Sequence, residues 1–160
     1  MHEKFMRAAF DEARSAIALG DGPPFGSVIA KNCRYVVCAH NEIVKTKDPT
    51  AHSEMVAIRR ACKVLHTTDL SGCVLYTSCE PCPMCLAACL NVNIGFVFYG
   101  ASREDAFRAG YKSKDLNFYE NLSKNTNTAW KKTFLKQVSL DEATNLYCAE
   151  HLNGRSRIST

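Results

Sequence analysis

The sequence predicts an α/β domain whose sheet is covered on both faces by helices. Two nearly continuous apolar runs, residues 73–78 and 94–99, have the length of buried strands, and each is followed by a helical stretch, about 83–90 and 102–109. An amphipathic helix opens the chain, with Phe5, Met6, Ala9, Phe10, Ala13 and Ile17 at helical spacing and Gly20 where a C-cap belongs. With 160 residues at 46% hydrophobic composition, the chain is large enough for a real core and reads as one domain.

The remaining elements follow in order. After the loop Asp21-Gly-Pro-Pro, residues 25–30 and 35–40 form two strands around a polar turn at Lys31 to Arg34, a hairpin. A second helix, about 51–65, places Met55, Ile58, Cys62 and Leu65 on one stripe, and Thr67 to Gly72 breaks it. Gly110 closes the helix at 102–109, and residues 111–132 read as loop, with Leu116, Tyr119 and Leu122 hinting at a short helix. Thr133 to Val138 reads as a last strand, and Ser139-Leu-Asp-Glu142 resembles a capping box opening a final helix to about Leu152. The expected domain is therefore 1–152, with 153–160 a disordered tail and no internal repeat or low-complexity linker.

Composition excludes several classes of function. No apolar run approaches the eighteen or so residues of a membrane span, and the start, Met-His-Glu-Lys, lacks a signal peptide's apolar segment, so a cytoplasmic location is expected. Nine cysteines, an odd number, point to reduced thiols. The formal charge of +4 is modest and forms no dense basic stripe, so nucleic acid is not the expected partner.

The residues that carry chemistry lie at 48–54 and 79–89. Cys82 and Cys85 stand three apart at the start of a helix, where both sulfurs share a face and unpaired N–H groups favour thiolate. His52 adds an imidazole and Glu54 a carboxylate. Residues two apart diverge within a helix, so His52 and Glu54 converge only in a first turn, for which Pro49 and Thr50 are suitable starting residues. One His and two Cys make three zinc ligands and leave a fourth tetrahedral position for water. A rival reading takes Cys79, Cys82, Cys85 and Cys89 as an iron–sulfur run, but Leu90 stands where a proline should follow, and no second run is present. A structural zinc knuckle of the same four thiols leaves His52 and Glu54 unexplained. Cys33, Cys38, Cys62, Cys73 and Cys148 are expected as small buried hydrophobes, and His2, His40, His66 and His151 in structural or solvent roles.

The combination of His52, Glu54, Pro81, Cys82 and Cys85 resembles the signature of the zinc-dependent nucleobase deaminases. The wider match is similar to the guanine deaminase branch of the cytidine deaminase superfamily. It covers roughly residues 5–110 and includes Gly22-Pro-Pro-Phe-Gly26, Asn41, Asp48-Pro-Thr-Ala-His52, Ala57-Ile-Arg-Arg-Ala-Cys-Lys63 and Leu75-Tyr-Thr-Ser-Cys-Glu-Pro-Cys-Pro-Met-Cys85. The bacterial tRNA adenosine deaminases share these motifs, but typically carry Pro-Val-Gly in place of Pro24-Phe-Gly26 and lack the Ser-Cys of 78–79. The resemblance implies a three-layer α/β/α domain around a five-stranded mixed sheet and a homodimer, which in guanine deaminases often exchanges C-terminal segments.

It also implies hydrolytic deamination of a nucleobase with one Zn2+ per chain carrying a water or hydroxide. His52, Cys82 and Cys85 are then the metal ligands and Glu54 the catalytic proton carrier, with Asn41 bonding the base edge and Phe25 a candidate for packing on the ring. Guanine presents N1–H beside its 2-amino group, for which a carboxylate is the natural acceptor. Guanine deaminases commonly place an aspartate pair after the glycine at 110. This chain has Lys112-Ser113-Lys114-Asp115 there, so Asp115 is the candidate, and it also lacks the usual C-terminal aromatic cap. Guanine is the expected base, with another free aminopurine or aminopyrimidine, or tRNA adenosine, as the alternatives. The alternative outside enzymology is a structural zinc or iron–sulfur protein.

Overall fold

Helix α1 (His2–Leu19) forms where the apolar spacing places it and buries Phe5, Met6, Ala9, Phe10, Ala13 and Ala16 on one face. The computed structural model describes residues 2–111 and 134–138. Gly20, at φ +70, ends α1, and the Asp21 N–H reaches back 2.9 Å to the Ala16 carbonyl. Strands β1 (Gly26–Lys31) and β2 (Arg34–His40) pair antiparallel around Asn32 and Cys33, whose φ values of 50° and 60° suit the twist of a two-residue hairpin. Cys33 is therefore exposed on the turn and is not the buried hydrophobe expected.

The short helix α2 (Ile43–Thr46), which the sequence did not suggest, precedes α3 (Ser53–Leu65). Helix α3 starts two residues later than expected, and its face is rotated. Val56, Ala57, Ile58 and Ala61 are buried, while Met55, Cys62 and Leu65 are only half-buried. Small Ala57 and Ala61 let the helix lie close on the sheet, a signal invisible when bulk alone marks the stripe. Strand β3 (Cys73–Cys79), helix α4 (Pro83–Asn91) and strand β4 (Phe96–Ala101) form a parallel crossover unit. Ile94, expected to open β4, instead donates its N–H 3.0 Å to the Cys89 carbonyl and buries in the turn that closes α4. Helix α5 (Arg103–Arg108) begins at a capping box between Ser102 and Asp105. Strand β5 (Leu135–Gln137) lies within the expected 133–138 and pairs parallel to β4.

The sheet is mixed and five-stranded, in the order β2-β1-β3-β4-β5, the α/β architecture that the resemblance implied. Its alternating side chains divide the core. Val28, Ala30 and Tyr76 pack with Phe5, Met6 and Phe10 of α1, while Ile29, Leu75 and Val97 pack with Val56 and Ala57 of α3 and Leu86 of α4. Helices thus cover both faces. Among the described residues no helix is long and apolar enough to cross a membrane. Of the loop expected at 111–132, residues 112–132 with the candidate Asp115 lie outside the described residues, as do the helix at 139–152 and the tail at 153–160.

The α1–β1 contact is close because Gly26 has no side chain. A Cβ there would overlap the Ala9 carbonyl and the Ala13 amide, backbone atoms that cannot rotate away. We expect Gly26→Ala to destabilise the protein by about 3 kcal/mol in urea unfolding, the scale of overpacking. Gly95→Ala, whose Cβ meets only the Cys73 carbonyl at 3.8 Å, should stay within about 0.5 kcal/mol.

Candidate metal centre and active site

Two helix starts meet at one point. His52 is the N-cap of α3 and Cys82 the N-cap of α4, both extended, with ψ 154° and 164°. Neither side chain caps its own helix. Pro83 opens α4, where its missing N–H costs nothing, and Cys85 follows in the same first turn. His52 Nδ1 lies 3.7 Å from both sulfurs, which are 3.5 Å apart. That sulfur separation is far beyond a disulfide bond of about 2.05 Å. Four-coordinate zinc, with bonds of about 2.3 Å to sulfur and about 2.0–2.1 Å to nitrogen at tetrahedral angles, sets its donors roughly 3.5–3.8 Å apart. The donors present fit that ion in type and in spacing.

The electrostatics of the three groups fit as well. The Cys82 thiol is pulled down to about 4, first by the hydrogen bond from Cys85 and then, against burial, by the bond with His52. His52 is raised in return, chiefly by its bond to Cys82. Cys85, nearly fully buried, is pushed up as the donor to Cys82. The cluster thus carries its negative charge on Cys82, and a metal ion would displace the remaining proton from Cys85.

The four-thiol readings fail on geometry. Cys79 buries among the side chains under α1, its Sγ 3.7 Å from the Ser102 carbonyl, whereas Cys89, a residue of α4 itself, buries in the core on the other side of the sheet. Burial drives both thiols well above their ordinary range. Among the described residues the donors that gather with Cys82 and Cys85 are those of His52 alone.

Glu54, in the first turn of α3, is only 6% exposed, and burial raises its carboxyl, with the neighbouring Cys82 adding to the rise and His52 opposing it. Its Oε2 accepts from Ser53 Oγ at 3.0 Å. Ser53 Oγ is 2.8 Å from Ser27 Oγ, Ser27 is 3.2 Å from Thr77 Oγ1, and Thr77 is 3.4 Å from the Gly26 carbonyl. This buried chain of hydroxyls anchors the carboxylate to β1 and β3. Sequence reasoning missed it, although Ser27 and Thr77 stand out as polar residues in otherwise apolar strands.

Asn41 follows β2 and is 2% exposed. Its N–H donates to the Phe25 carbonyl at 2.9 Å, and its Oδ1 accepts from the Ile43 N–H at 3.1 Å. The next residue, Glu42, donates its N–H 2.9 Å to the carbonyl of Ala51, which stitches this segment to the start of α3 beside His52. Phe25 meets Tyr111 edge to face at 5.6 Å, a partner the sequence did not suggest. The structure therefore joins His52, Cys82 and Cys85, sets Glu54 within their electrostatic reach, and links Asn41 to Phe25.

Known proteins with this arrangement define the kinship. The family described as the cytidine and deoxycytidylate deaminase zinc-binding region matches residues 1–101. A guanine deaminase of Bacillus subtilis is 44% identical over 123 residues, 77% of this chain and 78% of its own. A tRNA-specific adenosine deaminase of Aquifex aeolicus is 42% identical over 99 residues, 62% of this chain and 65% of its own. The X-ray structure of guanine deaminase from Bacillus subtilis superposes with a TM-score of 0.70 at 36% identity, covering 98% of both chains. The chain belongs to the cytidine and deoxycytidylate deaminase family, and its His52–Cys82–Cys85 cluster lies within that family's zinc-binding region.

Proposed function

We propose that the chain is a hydrolase that removes the amino group of a free nucleobase, guanine foremost, with one zinc ion held by His52, Cys82 and Cys85. The observation that supports this most is a three-donor centre beside a buried carboxylate, Glu54, that is not among the donors. Three donors leave one tetrahedral position open, as a catalytic rather than a structural site requires. When bound, zinc supplies Lewis acidity, lowering the pKa of a water in that position toward neutrality.

The chain's own residues move the protons. Burial makes Glu54 a stronger proton acceptor than an exposed carboxylate. Its Oε2 is held by Ser53, which leaves Oε1 to take a proton from the attacking water and pass it to a ring nitrogen. A second proton passes the same way from the added hydroxyl to the amine. The C–N bond then breaks, the water oxygen stays on the ring carbon, and ammonia leaves. Asn41 has Oδ1 committed to Ile43, so its amide offers Nδ2–H to an acceptor on the base. Phe25 packs on the ring, and Asp115 is our candidate acceptor for guanine N1–H and its 2-amino group.

The Bacillus subtilis relative supports guanine, because the match runs past the family region. The Aquifex aeolicus relative, nearly as similar over a shorter span, supports tRNA adenosine as the second reading. Resemblance to guanine deaminases favours a homodimer with exchanged C-terminal segments. The buried thiols of Cys73, Cys79, Cys85 and Cys89 form no disulfide, which favours a reducing, cytoplasmic setting.

Metal analysis should find about one zinc per chain, unchanged in Cys79→Ala and Cys89→Ala and lost in His52→Ala. Zinc should dissociate as pH is lowered, because its thiolate and imidazole donors must be deprotonated to bind. Iron with acid-labile sulfide would reject the assignment. Against a panel of free bases, nucleosides and tRNA, the zinc-loaded protein should release ammonia fastest from guanine. Glu54→Gln should keep its zinc while turnover falls at least about 10²-fold. Glu54→Gln that lost zinc but kept turnover would reverse the roles, and ammonia from tRNA alone would favour the second reading.

A further inference from the structure

A second cluster of charged side chains, which the proposed reaction does not use, surrounds the end of β2. His40 is 8% exposed, with Nδ1 2.8 Å from Glu12 Oε2 on α1 and Nε2 2.9 Å from Asp21 Oδ2 in the loop after α1. The ring thus bridges α1 and the loop that follows it, one nitrogen to each.

Glu12, Asp21 and Glu42 bring three carboxylates to this cluster. Lys45 Nζ lies 2.9 Å from Asp21 and 3.2 Å from Glu42, and Arg60 lies 2.9 Å from Glu42. The Asp21 carboxyl is held below the usual carboxylate range by His40 first and Lys45 second. Cys38, the other titratable group nearby, has its thiol pushed up by burial and then by Glu12.

The cluster encloses Asn41. The Asp21 carbonyl accepts from the N–H groups of Val44 and Lys45 at 2.9 and 3.1 Å, which ties the loop to α2. Gly22 abuts Asn41 so closely that a Cβ there would overlap its Oδ1 and its carbonyl. The geometry points to His40, bridging Glu12 and Asp21, as a positioning residue that locks the 21–25 loop against 41–46 and so fixes Asn41 for the base. The base at Asn41 rests on the deaminase reading above; the bridge at His40 does not.

The test uses the zinc-loaded protein, 15N-labelled, with Glu12→Gln and His40→Gln. Glu12→Gln changes a quarter-exposed side chain, so the fold should persist while the tie from α1 to His40 weakens. Glutamine at 40 cannot reach two carboxylates on opposite sides, so His40→Gln should shift or broaden the Asn41 side-chain amide signal. It should also raise KM about tenfold with kcat within about twofold and zinc content unchanged. An unmoved Asn41 signal, or wild-type KM in both variants, would overturn the lock. A wild type that deaminates no base would instead remove the deaminase reading, and the Asn41 NMR signal would still decide the lock.

Discussion

The structure depends on two helix N-termini being aimed at one point. Because His52 and Cys82 occupy the N-cap positions without capping, the first-turn N–H groups of α3 and α4 stay directed at the same small volume. Each helix end carries roughly half an elementary positive charge, which stabilises thiolate over thiol. The rest of the fold holds this encounter in place. Strand β3 runs centrally between β1 and β4 and delivers Cys82 just past its end, while α3 is pressed onto the sheet through Ala57 and Ala61. Loss of either packing would separate the donors before any chemistry was touched.

The protein handles two buried groups of charges in opposite ways. Around His40, acids and bases are matched into a cluster whose bonds span α1, α2, α3 and the loop between α1 and β1. The Glu54 carboxylate is instead bonded by Ser53, at the head of a chain of hydroxyls that ends on a backbone carbonyl. The first arrangement fixes geometry. The second leaves a carboxylate whose proton affinity is raised by burial, in the place where a proton carrier is of use.

The donors and the sheet were legible in the sequence because each leaves a local signature. Cys-x-x-Cys at a helix start, His-x-Glu at another, and apolar runs such as Val74 to Tyr76 are patterns of a few neighbouring residues. Longer-range features were not legible. The Ser27–Ser53–Thr77 chain joins three segments, and His40 reads as an isolated histidine until Glu12 and Asp21 are folded beside it. The face of α3 was misread because alanines mark a close approach only when the surface opposite is known. Cys33 was misplaced because counting cysteines as core residues ignores the turn that Asn32 and Cys33 must make.

The proposed centre is an open site with two sulfur donors and one nitrogen donor. Zinc-edge X-ray absorption on the loaded protein should find two sulfurs at about 2.3 Å and two lighter atoms, His52 nitrogen and a solvent oxygen, at about 2.0–2.1 Å. Four sulfurs, or a closed shell without solvent oxygen, would contradict it.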